Sequence, residues 1–214
     1  PPASLSGLVG SEMCIRDSHS ENHRAKTARK MVMELLVADQ PSRDTAHDPD
    51  SELWRYAETQ DVDAARFPAK ASPTPDSSHP AIAVNMDACI QCNLCVRACR
   101  EVQVNDVIGL AGRGANAHIV FDFGDDMGAS TCVGCGECVE ACPTGALMPK
   151  TLLDDSQALA ITPDRQVDSV CPYCGVGCQL TFSVKDDKIV SVSGRQGPAN
   201  AGRLCVKGRY GFDY

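Results

Sequence analysis

Apolar positions along the 214-residue chain come in short stretches separated by polar ones. None approaches the run of about twenty apolar residues that a membrane-spanning helix needs. After Asn22, the segment HRAKTARKMVMELLVAD repeats apolar residues at helical spacing: Ala28, Met31, Val32, Leu35 and Leu36 share one side. This predicts an amphipathic helix over 22–38 with that side buried. Ser51, a candidate N-cap, precedes Leu53, Trp54 and Ala57, which predicts a second short helix. RFPAKASPTPDSSHP, Arg66 to Pro80, is rich in proline and serine and reads as an extended linker. Beyond it the period changes. AIAVNM (81–86) reads as a strand, VIGLAGRGANAHIVFDF as a hairpin turning around Gly112 to Asn116, and GALM (145–148) as another short strand. After a second linker over 150–166, QLTFSV and KIVSVS alternate on either side of KDD, the pattern of a hairpin of half-buried strands. Helices come first and strands later, which predicts an α+β chain.

Cysteine changes the picture most. There are thirteen, and twelve fall into three groups of four: Cys89, Cys92, Cys95 and Cys99; Cys132, Cys135, Cys138 and Cys142; Cys171, Cys174, Cys178 and Cys205. Tight Cys-x-x-Cys runs let sulfurs converge on one centre, whereas a secreted disulfide framework scatters its cysteines through loops. With no secretory apolar region near the start, the expected compartment is the reducing cytoplasm. Cys14 stands apart, within LVGSEMCIRDS (8–18), a stretch spelled codon for codon by the end of a widely used sequencing-transposon adapter. Residues 1–18 are therefore expected to be an adapter translation rather than native sequence.

The formal charge of −8 and the 5% aromatic content exclude the basic, aromatic-lined surface of a nucleic-acid binder. Arg24, Lys26, Arg29 and Lys30 share one short segment and read as a solvated helix face. With few large side chains to bury, metal ligation must replace part of the missing core.

CIQCNLCVRAC (89–99) has the spacing Cys-x2-Cys-x2-Cys-x3-Cys, and CVGCGECVEACP (132–143) repeats it with a trailing proline. This is the bacterial ferredoxin run, in which three thiolates hold one [4Fe–4S] cluster and the fourth cysteine ligates the other cluster. The expected ligand sets are Cys89, Cys92, Cys95 and Cys142 for one, and Cys132, Cys135, Cys138 and Cys99 for the other. Gly134 and Gly136 would let backbone N–H groups approach the sulfurs. Zinc, which usually draws on separated Cys-x-x-Cys pairs, is the alternative. In the third group a loop supplies Cys171, Cys174 and Cys178 and a distant loop supplies Cys205. By spacing alone that set suits zinc as well as a third cluster.

CPYCGVGC with RLCVKGRYGFDY resembles the N-terminal iron–sulfur segment of the molybdenum or tungsten bis-pterin oxidoreductases. Together with CNLCVRACREVQVNDVIG and STCVGCGECVEACPTGALMP, it is similar to the α subunits of cytoplasmic NAD-dependent formate dehydrogenases, densely from about Ala81 onward. Taken with the patterns above, the resemblance implies a ferredoxin-like domain with two [4Fe–4S] clusters over 81–149, preceded by the helical segment over 19–65 and the linker over 66–80 that periodicity and composition predict. A linker over 150–166 and a small β-rich [4Fe–4S] domain over 167–214 would follow. It also implies that Lys207 lies between the third cluster and the pterin. Electrons from formate oxidation at a Mo or W bis-molybdopterin guanine dinucleotide centre would pass through three clusters to a partner diaphorase subunit carrying FMN and NAD. The catalytic residues themselves would lie beyond Tyr214. The family often carries a His-plus-three-Cys cluster before the ferredoxin domain, but DQPSRDTAHDPDSELW contains no cysteine, so His47 is expected to be an ordinary loop histidine. Nitrate reductase, iron-only hydrogenase, a quinone-reductase subunit and a free-standing polyferredoxin share parts of the pattern.

Overall fold

Asn22 opens the first helix because its side chain accepts the Ala25 N–H at 2.9 Å, satisfying one of the donors that a helix start leaves free. This helix, α1, runs His23–Ala38 in a computed structural model that describes residues 19–71 and 73–213. The adapter-like segment with Cys14, and Tyr214, lie outside the described residues. The second helix, α2, covers Glu52–Thr59 and buries Leu53, Trp54 and Ala57. Ser51 stands at its N-cap, yet its side chain makes no capping bond there.

The expected burial along α1 needs correcting. Val32 and Leu35 are 54% and 50% exposed, and Met31 is exposed too. Only the C-terminal end of the helix is covered, where Val37 and Met33 meet Trp54, Ala57 and Val62. The reason is length: at about 1.5 Å per residue, eight residues of α2 cannot cover sixteen of α1.

From Asp76 onward the chain builds around its cysteines. Strand β1 (Ile82–Val84) pairs antiparallel with β4 (Leu147–Pro149), so the strand entering the first cysteine run lies beside the one leaving the second. Asp76 bridges to Val84 on the other edge, so the final residues of the proline-rich segment pack against this unit. Strand β2 (Ile108–Ala111) pairs with β3 (His118–Phe121) in the expected hairpin. Helix α3 (Leu94–Arg97) runs into a π turn over Ala98–Val102, and α4 (Glu137–Glu140) lies within the second run. The largest core joins Ile82, Val84, Val96, Ile108, Phe121 and Met127 to Cys95, Cys99 and Cys138.

The last unit is a three-stranded antiparallel sheet of β5 (Arg165–Val170), β6 (Gln179–Lys185) and β7 (Lys188–Gly194). Asp186 and Asp187 take positive φ in the β6–β7 turn, the twist that a two-residue hairpin loop requires. The sequence pattern does not predict strand β5; it begins inside the second linker, Arg165 pairing with Val184. Helix α5 (Val206–Tyr210) closes the unit over a small core of Cys171, Leu180, Val192 and Leu204.

Candidate metal centres

The first set forms where the backbone takes left-handed turns at Gln91 and Asn93. There the Gln91 N–H points at the Cys89 sulfur at 3.4 Å. Cys142, from the second run, stands with Cys89 and Cys95: burial pushes the Cys95 thiol up to about 12, and the Cys142, Cys89 and Cys92 sulfurs add to the shift. Cys92 is the exposed member.

The second set takes its fourth thiol from the π turn. The Val107 N–H donates to the Cys99 sulfur at 3.3 Å, and the Gly134 N–H to the Cys132 sulfur at 3.4 Å. Burial drives the Cys138 thiol well above its ordinary value, with Cys135, Cys132, Cys95 and Cys99 contributing as neighbours. The two runs thus exchange their last cysteines, Cys99 lying with the second set and Cys142 with the first. Cys95 of the first set packs in one core with Cys99 and Cys138 of the second, so the sets are adjacent.

In the third set the Cys171 N–H donates to the Cys178 carbonyl at 2.8 Å, and Cys205 is the N-cap of α5. The Cys178 thiol is raised by burial and by Cys171, Cys174 and Cys205. Lys207, two residues beyond Cys205 on α5, is exposed.

All twelve described cysteines are free thiols. Among the described residues no three His, Cys, Asp or Glu side chains come close enough to share one metal ion. Four thiols per set are the donor complement of a [4Fe–4S] cluster. Amide N–H groups aimed at sulfur suit one carrying negative charge. A buried donor without a protein partner, the Tyr210 hydroxyl, adjoins the second set. These residues fit iron–sulfur clusters.

Comparison with known proteins agrees. Residues 88–146 match the 4Fe-4S dicluster domain, and residues 164–214 match the molybdopterin oxidoreductase Fe4S4 domain. Residues 88–214 thus form a module with a 4Fe-4S dicluster match followed by a molybdopterin oxidoreductase Fe4S4 match. The chain is 35% identical over 136 residues to an NADH-quinone oxidoreductase subunit of Rhizobium meliloti, covering 63% of this chain and 15% of that protein. It is 23% identical over 235 residues to "Putative formate dehydrogenase" of Staphylococcus haemolyticus, covering 92% of this chain and 24% of that one. It therefore spans 15% to 24% of the length of these relatives. The fold is shared with a chain of an NAD+-reducing [NiFe]-hydrogenase crystal structure in the H2-reduced state, at a TM-score of 0.54 and 23% identity, over 61% of this chain and 57% of that chain.

Two features of the chain escape sequence reasoning. The first is a buried ionic cluster joining the dicluster domain to α5. Glu137 and Arg209 are 1% and 3% exposed at the side chain and pair at 2.8 Å. Arg209 Nε donates to the Cys135 carbonyl at 2.8 Å, and its other terminal nitrogen meets Glu140. Arg203 adds a 2.9 Å bond to the second Glu137 oxygen, and the Leu204 N–H donates to the first at 3.3 Å. Gly136 makes this possible: at φ +75, a Cβ there would stand 2.2 Å from Arg209 Cδ. A glutamate inside a cysteine run and an arginine between glycines were the only signals in the sequence.

The second is His47, which is buried rather than an ordinary loop residue. Its Nε2 meets Asp87 at 3.0 Å and its Nδ1 meets the Gln157 carbonyl at 2.8 Å. Hydrogen bonding to Asp87 raises its pKa despite burial. With the Leu53 N–H donating to the Pro143 carbonyl at 3.1 Å, His47 fastens the helical segment to the dicluster domain and the following linker. Among the described residues, no helix is long and apolar enough to cross a membrane.

Proposed function

We propose that this chain is the electron-transfer front end of an NAD-dependent formate dehydrogenase α subunit, working in the cytoplasm with a flavin- and NAD-binding diaphorase subunit. The supporting observation is three groups of four thiols in sequence, the first two interleaved and the third tied to the second through Arg209 and Glu137. When bound, [4Fe–4S] clusters supply reversible one-electron storage. The chain holds and shields them. Cys89, Cys92, Cys95 and Cys142 would hold the first; Cys132, Cys135, Cys138 and Cys99 the second; Cys171, Cys174, Cys178 and Cys205 the third. The Gln91, Val107 and Gly134 N–H groups stabilise negative charge at sulfur. The apolar core around Cys95, Cys99 and Cys138 excludes water. Lys207, exposed and two residues beyond Cys205, would lie between the third cluster and a bis-pterin cofactor bound by the rest of the enzyme.

Iron, acid-labile sulfide and zinc per chain, measured after anaerobic reconstitution with EPR of the reduced sample, test the ligand sets. About twelve irons and twelve sulfides with interacting signals are expected for three four-iron clusters; stoichiometric zinc in the Cys171 set would defeat the reading for that set. The likeness to the NADH-quinone oxidoreductase of Rhizobium meliloti supports a second reading, a subunit of a quinone reductase. Formate-dependent NAD+ reduction by the complete enzyme with its partner distinguishes them. No turnover with formate, alongside NADH-dependent quinone reduction, would favour the second.

A further inference from the structure

The Tyr210 hydroxyl is buried without a hydrogen-bond partner, and a buried donor left unmade is costly enough that native chains rarely keep one. Its surroundings indicate what completes it. Tyr210 packs on the core containing Cys95, Cys99 and Cys138. Its oxygen would lie 2.6 Å from a Cβ on Gly136, the residue after Cys135 and two before Cys138. The Cys138 and Cys135 sulfurs are among the charges that act on it. Its neighbour Arg209 holds this end of α5 to the dicluster domain, bonded to the Cys135 carbonyl at 2.8 Å and to Glu137 at 2.8 Å.

We propose that Tyr210 Oη donates a hydrogen bond to a sulfur of the cluster held by Cys132, Cys135, Cys138 and Cys99, so that a helix carrying a ligand of the third centre sets the potential of the second. The proposal rests on those four cysteines being cluster ligands. A hydrogen bond to sulfur favours the more negatively charged, reduced state and raises the midpoint potential. Tyr210 is thus a positioning and tuning residue, and docking of the terminal unit onto the dicluster domain is coupled to the driving force between adjacent centres.

The test is an EPR-monitored redox titration of the reconstituted full chain and its Tyr210→Phe variant, the second centre being identified as the signal altered by Cys135→Ser. With iron and sulfide content unchanged, Tyr210→Phe lowers the reduction equilibrium of that centre about tenfold, a fall of about 59 mV for one electron. Tyr173→Phe, which removes a hydroxyl bonded to the Gly211 carbonyl in the same unit, leaves that midpoint in place. Unchanged midpoints at full iron content, or an equal fall in Tyr173→Phe, would overturn the proposal. Independently of any variant, ring-deuterated tyrosine in the unaltered chain must give a deuteron coupling on the second centre, and its absence would also overturn it. Failure of the unaltered chain to build a cluster on these four cysteines would instead remove the reading beneath it.

Discussion

Glu137→Ala probes the contact that joins two of the three candidate centres. In the native chain Glu137 accepts from Arg209, Arg203 and the Leu204 N–H. Truncation leaves Arg209, 3% exposed at its side chain, with only Glu140 and the Cys135 carbonyl, while Arg203, 55% exposed, can turn to water. Removing one partner of a buried pair costs about 3–5 kcal/mol, and the buried Leu204 amide loses a bond worth about 1 kcal/mol or more. Retention of Glu140 puts the expected loss near the lower end, about 4 kcal/mol, or about three decades in an equilibrium constant. Because a cluster-bearing chain does not unfold in two states, the suitable assay is native-state amide exchange in the reconstituted protein, which reads local opening. Protection over 203–210 should fall about a thousandfold, the Leu204 amide leading. Amides of the β2–β3 hairpin, which lie outside the contact, should keep theirs. The double variant Glu137→Leu with Arg209→Met should regain most of the loss, since the charge left behind dominates the cost. A fall below tenfold in Glu137→Ala, or no recovery in the double variant, would refute the argument.

Three further outcomes follow from the same geometry. Cys142→Ser, although it alters the second run, should broaden or abolish the EPR signal of the first centre and leave the second intact; the reverse would break the assigned exchange. Without clusters, the buried thiols have raised pKa values, about 12 for Cys95 against an ordinary value of 9.0. Stability of the cluster-free chain should therefore be fully present below pH 9 and decline as pH rises towards 12, because the unfolded thiols ionise first; urea midpoints across that window, flat once clusters are bound, check it. Gly136→Ala places a Cβ against Arg209 in a left-handed backbone, a conformation costing roughly 1–2 kcal/mol for an L residue, and should open the bond after Arg209 to trypsin.

How much could be read from sequence depended on how local each signal was. The cysteine runs and their glycines act within ten residues, and the structure brings Cys142 near Cys95 and Cys99 near Cys138. Helix α1 was legible as a helix because periodicity is local, but not in its burial, since what covers a face depends on the length of a partner elsewhere. Strand β5 was lost because RQVDSV is mostly exposed and presents no apolar face to detect. His47 has no cysteine nearby in sequence to mark it, and its partners lie 40 and 110 residues away.

Glu137 and Arg209 show the same limit at the site itself. Separated by 72 residues, each reads alone as a surface charge, and only their pairing accounts for burial of both. The pairing also explains why an ionic contact stands where an apolar one would hold the units together as well. Apolar packing is tolerant of small shifts, whereas a guanidinium bonded to the Cys135 carbonyl and to both Glu137 and Glu140 fixes direction as well as distance. Because the carbonyl belongs to one cysteine set and the arginine lies four residues from Cys205 of another, that direction fixes how the second and third sets face each other. The Glu137→Leu and Arg209→Met double variant separates the two roles. It should restore stability while leaving the spacing of the two centres less defined, seen as a broader distribution of magnetic coupling between them; an unchanged distribution would mean that packing alone sets the spacing.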